Sequence, residues 1–149
     1  PVPDLETPNE SSGVDGLIVA LGRLVPQKGF DLLIDAFALV GPQLPEARLE
    51  IWGAGPEEAR LRAQIARLGL ADRVSLPGQT THAADVLSSA TVVALSSRVE
   101  GFPNVLLEAM ALGRPVVALD CRYGPAEIIR HGVDGLLVTS REPHALAGA

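Results

Sequence analysis

A parallel, doubly wound α/β sheet of about six strands, Rossmann-like in its pattern, is the fold this sequence predicts. Three observations carry it. Apolar runs of strand length recur along the chain, and stretches with apolar residues at helical spacing lie between them. Glycines and prolines fall where those helical stretches should stop. Strands that alternate strictly with helices imply a parallel sheet covered on both faces.

The elements run in order along the chain. "GLIVALG" (16–22) reads as the first strand, and "GFDLLIDAFALV" (29–40) as a helix that "GPQLP" ends. "ARLEIWG" (47–53) is the second strand. The helix "PEEARLRAQIARLG" (56–69) comes next, with Pro56 and two glutamates in its first turn and Gly69 at its C-terminal cap. "RVSLPG" (73–78) is a short third strand, "HAADVLSSA" (82–90) a short helix and "TVVALSS" (91–97) the fourth strand. "NVLLEAMALG" (104–113) is a helix closed by Gly113. "PVVAL" (115–119) is the fifth strand, "PAEIIRHG" (125–132) a helix and "GLLVT" (135–139) the sixth strand. By analogy with sheets of this kind, the strand order is expected to be 3-2-1-4-5-6. Ligands of such sheets bind outside the carboxyl ends of the strands, where the order reverses. That singles out the loops 22–29, 53–56, 77–82, 96–104 and 119–125.

Composition narrows the function. The 149 residues suit one domain with its own core, and with 47% apolar but only 3% aromatic residues that core must be aliphatic. A net charge of −6, from 18 acidic against 12 basic residues, argues against nucleic acid as a partner. No apolar run approaches the roughly 20 residues that span a bilayer. Cys121 is the single cysteine, which excludes a disulfide framework and a cysteine metal cluster, so a reducing cytoplasm is the default compartment. Residues 1–15 are polar and rich in Pro, Ser and Gly, and read as a linker or tail. With no initiating Met and a helix that starts in "SREPHALAGA" and stops, both ends look like those of a piece of a longer protein.

Three stretches compete as sites. "WGAGPEEA" (52–59) lies between a strand and a helix and invites a dinucleotide reading, but Glu58 stands where the third glycine belongs. Glu57 and Glu58 also put negative charge where a pyrophosphate would sit. A tight turn with an acidic first helical turn is the better reading. In "GRLVPQKGFD" (22–31), Arg23 and Lys28 flank a turn after the first strand, and Gly29 lets the next helix start close to a ligand. Two cations there suit a diphosphate, each charge pair gaining about 4 kcal/mol at about 4 Å near a protein surface. On this stretch alone, a pair of solvated loop charges is an equal alternative.

The third stretch is "SSRVEGFPNVLLEAMALGRPVVA" (96–118), which sets Glu100 in a turn and Glu108 about one turn into a helix. Gly101 permits close backbone approach, Pro103 suits a helix start, and free N–H groups from Gly101 through Phe102 and Asn104 to Val105 would face the crevice. Carboxylates accept several charge-assisted hydrogen bonds, so Glu100 suits sugar hydroxyls and Glu108 a ribose diol. Against a merely solvated Glu108, its helix neighbours Leu106, Leu107, Met110, Ala111 and Leu112 offer little polar company.

Together, "GRLVPQKGFDLLIDAF", the "GAGPE" turn, "EGFPNVLLEAMALGRPVVA" and "GPAEIIRHGVDGLLV" resemble the C-terminal, donor-binding domain of family 4 glycosyltransferases, retaining enzymes of the GT-B fold. The resemblance covers about residues 15–140, and its E-x7-E element is Glu100 to Glu108. It implies that residues 16–149 form a nucleotide-sugar-binding domain, half of a GT-B fold, behind a linker at 1–15. It implies Arg23 and Lys28 on the donor diphosphate and Glu100 on the transferred sugar, these three being the catalytic set. Gly101, Phe102, Pro103, Asn104 and Val105 would line the substrate, with Glu108 on the ribose and the loop 77–81 near the nucleobase. The donor would be a nucleotide sugar, of UDP type by the "CRYGPAEII" variant, used to build polysaccharide or oligosaccharide. A saccharide or lipid-linked saccharide acceptor would be held by a preceding domain. The whole protein would be cytoplasmic, with room for a place at the membrane face though not through this domain.

No Asp-x-Asp occurs in the chain, so no metal or other cofactor is expected, and Arg23, Lys28 and a helix N-terminus would stabilise the leaving diphosphate. The alternatives are a GT-B-like nucleotide-sugar epimerase and a non-catalytic nucleotide-binding module; a nicotinamide dehydrogenase is disfavoured by Glu58. Among single residues, His82, His131 and His144 share no metal spacing and read as surface or helix-end histidines. Cys121 reads as a small apolar filler and Trp52 as strand core. Ser96, Ser97 and Tyr123 fall in crevice loops without a distinguishing feature.

Overall fold

Period-two alternation along the strands builds two cores. In the computed structural model, which describes residues 16–98, 104–119 and 136–138 together with Leu146 and Gly148, the sheet has six strands. They are β1 (Leu17–Leu21), β2 (Arg48–Trp52), β3 (Val74–Gly78), β4 (Val92–Leu95), β5 (Val116–Leu119) and β6 (Leu136–Val138). All pairings are parallel, and the order is β3-β2-β1-β4-β5-β6, as expected.

Leu17, Val19, Val93, Leu95, Val116 and Ala118 point to one face, and Ala20, Leu49, Ile51 and Ala94 to the other. Helices α1 (Phe30–Val40) and α2 (Glu58–Arg67) cover the second face with Phe30, Ile34, Phe37, Leu61 and Ile65. Helices α3 (Ala83–Ser88) and α4 (Asn104–Ala111) cover the first with Leu87, Leu106 and Ala109. Side chains that alternate between faces require a helix layer on each, because both faces are apolar. The predicted helix 125–132 and residues 1–15 lie outside the described residues.

The start of one helix differs for a physical reason from the sequence reading. Helix α2 starts at Glu58, two residues after Pro56, because the Glu57 amide donates to the Leu24 carbonyl (2.9 Å) and so belongs to a turn that crosses to the first loop. Pro77 sits inside β3, which a proline tolerates because β3 is a sheet edge. The β2–β3 register shifts there, between Glu50 and Trp52.

The loops after β1 and β2 interlock through their backbones. Gly22 N–H donates to the Trp52 carbonyl (3.0 Å), Leu24 N–H to Ala54 (3.0 Å) and Gly53 N–H to Gly78 (2.8 Å). A Cβ on Gly53, whose φ is +146°, would run into the Gly22 carbonyl oxygen, and one on Gly55 would meet the Leu24 carbonyl oxygen at 2.5 Å. The glycines of "GAGPE" are thus required by a neighbouring loop.

Gly69, by contrast, has φ +70° at the end of α2 with open space around it. Gly69→Ala should therefore cost only about 1 kcal/mol, the penalty of a left-handed alanine. Gly53→Ala should cost about 3 kcal/mol or more, since strain and a backbone clash add. Chemical denaturation of the two variants measures the difference, and equal losses would contradict the interlock.

Candidate functional site

Every loop that leaves the carboxyl end of a parallel strand emerges on the same side of the sheet, and the order reverses between β1 and β4. The first loop turns at once: Val25 is extended, Pro26–Lys28 form a single 3₁₀ turn, and Gly29, at φ +64°, caps it and starts α1. This brings the Lys28 stem over Gly22, where a Cβ would lie 3.3 Å from Lys28 Cδ and Cε. Arg23, the next residue, is exposed. The structure therefore gathers Arg23 and Lys28 on one rim.

Beside them lies an open cavity of about 660 Å³, lined by Arg23, Trp52, Gln79, Thr80 and Thr81 among others. Trp52 is not strand core: it is half-buried at the last position of β2, its ring against the α3/α4 side and its indole N–H donating to Glu50 Oε1 (3.0 Å). The loop after β3 is held locally, with the His82 amide donating to Thr80 Oγ1 (2.9 Å) and Thr81 Oγ1 3.2 Å from His82 Nδ1. His82 is exposed before α3, as a helix-end histidine should be. A second cavity, about 360 Å³, lies under α1 between Phe37, Leu44, Val117 and Leu146; its walls are apolar and offer no group for a diphosphate.

On the other side of the reversal, Ser96 and Ser97 leave β4 buried rather than facing a ligand. Ser96 Oγ donates to the Lys28 carbonyl (2.9 Å), and a Cβ on Gly29 would strike the Ser96 carbonyl oxygen. Gly29 thus admits the fourth-strand loop; its freedom is used by protein backbone rather than held for a ligand.

The residue that sequence reasoning missed is Arg98. Its amide donates to the Gln27 carbonyl (2.7 Å), and Nη1 donates to the Pro26 carbonyl (2.9 Å). Nη1 and Nη2 together grip the two Asp31 carboxylate oxygens, each at 2.9 Å. The signal available in the sequence was an acidic first turn in α1 and an arginine two positions before Glu100, but nothing local pairs them. Hydrogen bonds from Arg98 hold the Asp31 carboxyl below its ordinary range, against the opposing effect of partial burial, and Asp31 in turn raises Arg98.

Asn104 opens α4, Val105 is half-buried and Glu108 is exposed. The surface around Glu108 is more apolar than a solvated helix face usually is: Leu107 is 40% and Leu112 37% exposed, while Leu106 and Ala109 are turned to the sheet. Glu100, Gly101, Phe102 and Pro103, with Cys121, Tyr123, His131 and His144, lie outside the described residues. Among the described residues no three His, Cys, Asp or Glu side chains are placed to hold a metal, and no helix is long and apolar enough to cross a membrane.

Known proteins with this pattern share a family. A family model described as "Glycosyl transferases group 1" matches residues 15–149. An exopolysaccharide phosphotransferase of Streptomyces coelicolor is 50% identical over 133 residues, which are 89% of this chain and 14% of that protein. Among solved structures, a mutant of Staphylococcus aureus TarM in complex with fondaparinux, alpha-GlcNAc-glycerol and UDP superposes with a TM-score of 0.88 at 30% identity, over 91% of this chain and 28% of that one. Anabaena HepE in complex with UDP and glucose superposes with a TM-score of 0.84 at 32% identity, over 93% of this chain and 38% of that one. The chain spans well under half the length of each.

The Asp31 carboxyl has a testable pH signature. Its folded value is depressed, so the stability it contributes is fully present above the unfolded value of about 4 and is lost as pH falls through the lower folded value. Both partners are 40% exposed, which keeps the contribution below about 1 kcal/mol. Melting temperatures of the wild type and Asp31→Asn should differ at pH 6 and converge as pH falls below about 4. A gap that persists at low pH would contradict the assignment.

Proposed function

The chain belongs to the glycosyl transferases group 1 family, and on that premise we propose that it is the donor-binding half of a retaining glycosyltransferase that takes sugar from a UDP-sugar. The observation that carries this reading is the rim shared by Arg23 and Lys28 beside the cavity of Trp52, Gln79, Thr80 and Thr81. The diphosphate lies against the two cations and the nucleobase toward the cavity. Glu108 of α4 takes the ribose diol, and Glu100 the transferred sugar. The N-terminal N–H groups of α4 add positive potential near the diphosphate. As the glycosidic bond breaks, charge grows on the departing UDP, and fixed cations stabilise that state more than the bound donor. The TarM and HepE complexes, both with UDP, support the choice of nucleotide.

The acceptor, a saccharide or lipid-linked saccharide, is held by parts of the protein outside this chain, since relatives carry much more sequence than the chain matches. The polysaccharide context follows from the exopolysaccharide relative. That relative also motivates a second reading, in which the chain serves a sugar-phosphate transferase. The nucleotide released separates the two, because glycosyl transfer from a UDP-sugar releases UDP and sugar-phosphate transfer releases UMP.

Binding needs no metal on this reading. UDP should titrate into the chain calorimetrically in excess chelator, and binding abolished by chelator and restored by magnesium or manganese would overturn metal independence.

The two glutamates should separate by ligand. Glu108→Ala should weaken UDP and UDP-sugar by similar factors, and Glu100→Ala only ligands that carry the sugar, by about 1.5–3 kcal/mol each for a lost charged hydrogen bond. Equal losses on plain UDP would remove the assigned roles.

A further inference from the structure

Arg98 and Asp31 stand across the point where strand order reverses, one after β4 and the other on the first turn of α1. Arg98 is tied to the turn that carries Lys28 and to the helix that leaves it: its amide bonds Gln27, one guanidinium nitrogen bonds Pro26, and the fork holds Asp31. Ser96 adds a further bond, to the carbonyl of Lys28 itself. An exposed ion pair adds little to stability. The distinctive effect of the pair is geometric, since a bidentate arginine fork fixes orientation as well as distance.

We propose that Arg98 and Asp31 are positioning residues that lock the Lys28 turn to the end of β4, so that Lys28 is held in a fixed place against the donor's diphosphate. This rests on the donor-binding function proposed for the chain. Neither residue needs to touch the donor. A displaced Lys28 grips the diphosphate less well, so binding falls although neither Arg98 nor Asp31 touches the ligand.

Electrostatics and positioning predict opposite signs for Asp31→Asn. Removing a carboxylate near an anionic ligand should strengthen UDP binding if charge alone matters, whereas loss of the lock should weaken it. The expected result, by calorimetry at a temperature where the variant is fully folded, is UDP binding weakened about tenfold, as a misplaced Lys28 loses part of its charged contact with the diphosphate. Arg98→Lys keeps the cation but not the fork, and should show a similar loss. Unchanged or tighter binding in Asp31→Asn would overturn the proposal.

A second readout needs no ligand. Hydrogen exchange should quicken together in residues 26–33 and 96–98 of either variant, and quickening confined to the mutated side would also overturn it. If the wild type bound no nucleotide, the donor-binding reading would fall, while coupled exchange would still decide whether the lock exists.

Discussion

The contact between the first and fourth loops, at the reversal of strand order, is the constraint on which the site depends. Strands β1 and β4 pair over a short register, Ile18 with Val92 and Val19 with Val93, so the ladder alone does little to fix the loops beyond it. Past the strand ends, Gly29 gives up its side chain to admit the Ser96 carbonyl, and Ser96 returns a hydrogen bond to Lys28. At the other end of the same strands, Thr91 Oγ1 accepts from the amides of Gly16 and Leu17, and the Thr91 amide donates to the Leu17 carbonyl (2.7 Å). The β1–β4 seam is therefore closed at both ends by specific bonds, and the crevice at its carboxyl end inherits that rigidity.

The other wall of the crevice uses a different device. Three loops, after β1, β2 and β3, approach backbone to backbone through Gly22, Gly53, Gly55 and Gly78, and their amides find carbonyls in one another. Glycine-rich turns between a strand and a helix are often read as phosphate cradles, yet here the closest atoms to Gly53 and Gly55 are protein carbonyls. Positive charge comes instead from side chains, Arg23 and Lys28, set on the rim of a chain whose net charge is −6.

The chain matches only a minor part of its relatives. The loops at the carboxyl end of its sheet are already held by their own hydrogen bonds. The two apolar layers, α1 and α2 on one face and α3 and α4 on the other, anchor those loops from below.

By itself the sequence determined the features that depend on near neighbours along the chain. Period-two runs named the strands, helical spacing named α1 to α4, and their alternation dictated a parallel sheet with two covered faces, because a strand apolar on both sides has no other stable setting. Arg23 and Lys28 were legible as a pair because one short turn joins them. Tertiary structure alone decided the rest. Arg98 is paired with Asp31 across 67 residues, and Arg73, outwardly a loop arginine, donates to the carbonyls of Gly41, Leu44 and Ala47 while lying 5.3 Å from the Phe37 ring centre. Trp52 became a cavity wall beside the loop after β3, and Ser96 and Ser97 became buried where the Lys28–Gly29 turn packs on the end of β4. Local periodicity records which face a residue presents, but which loop will stand opposite it depends on strand order and close backbone approach, and neither leaves a mark in the neighbouring residues.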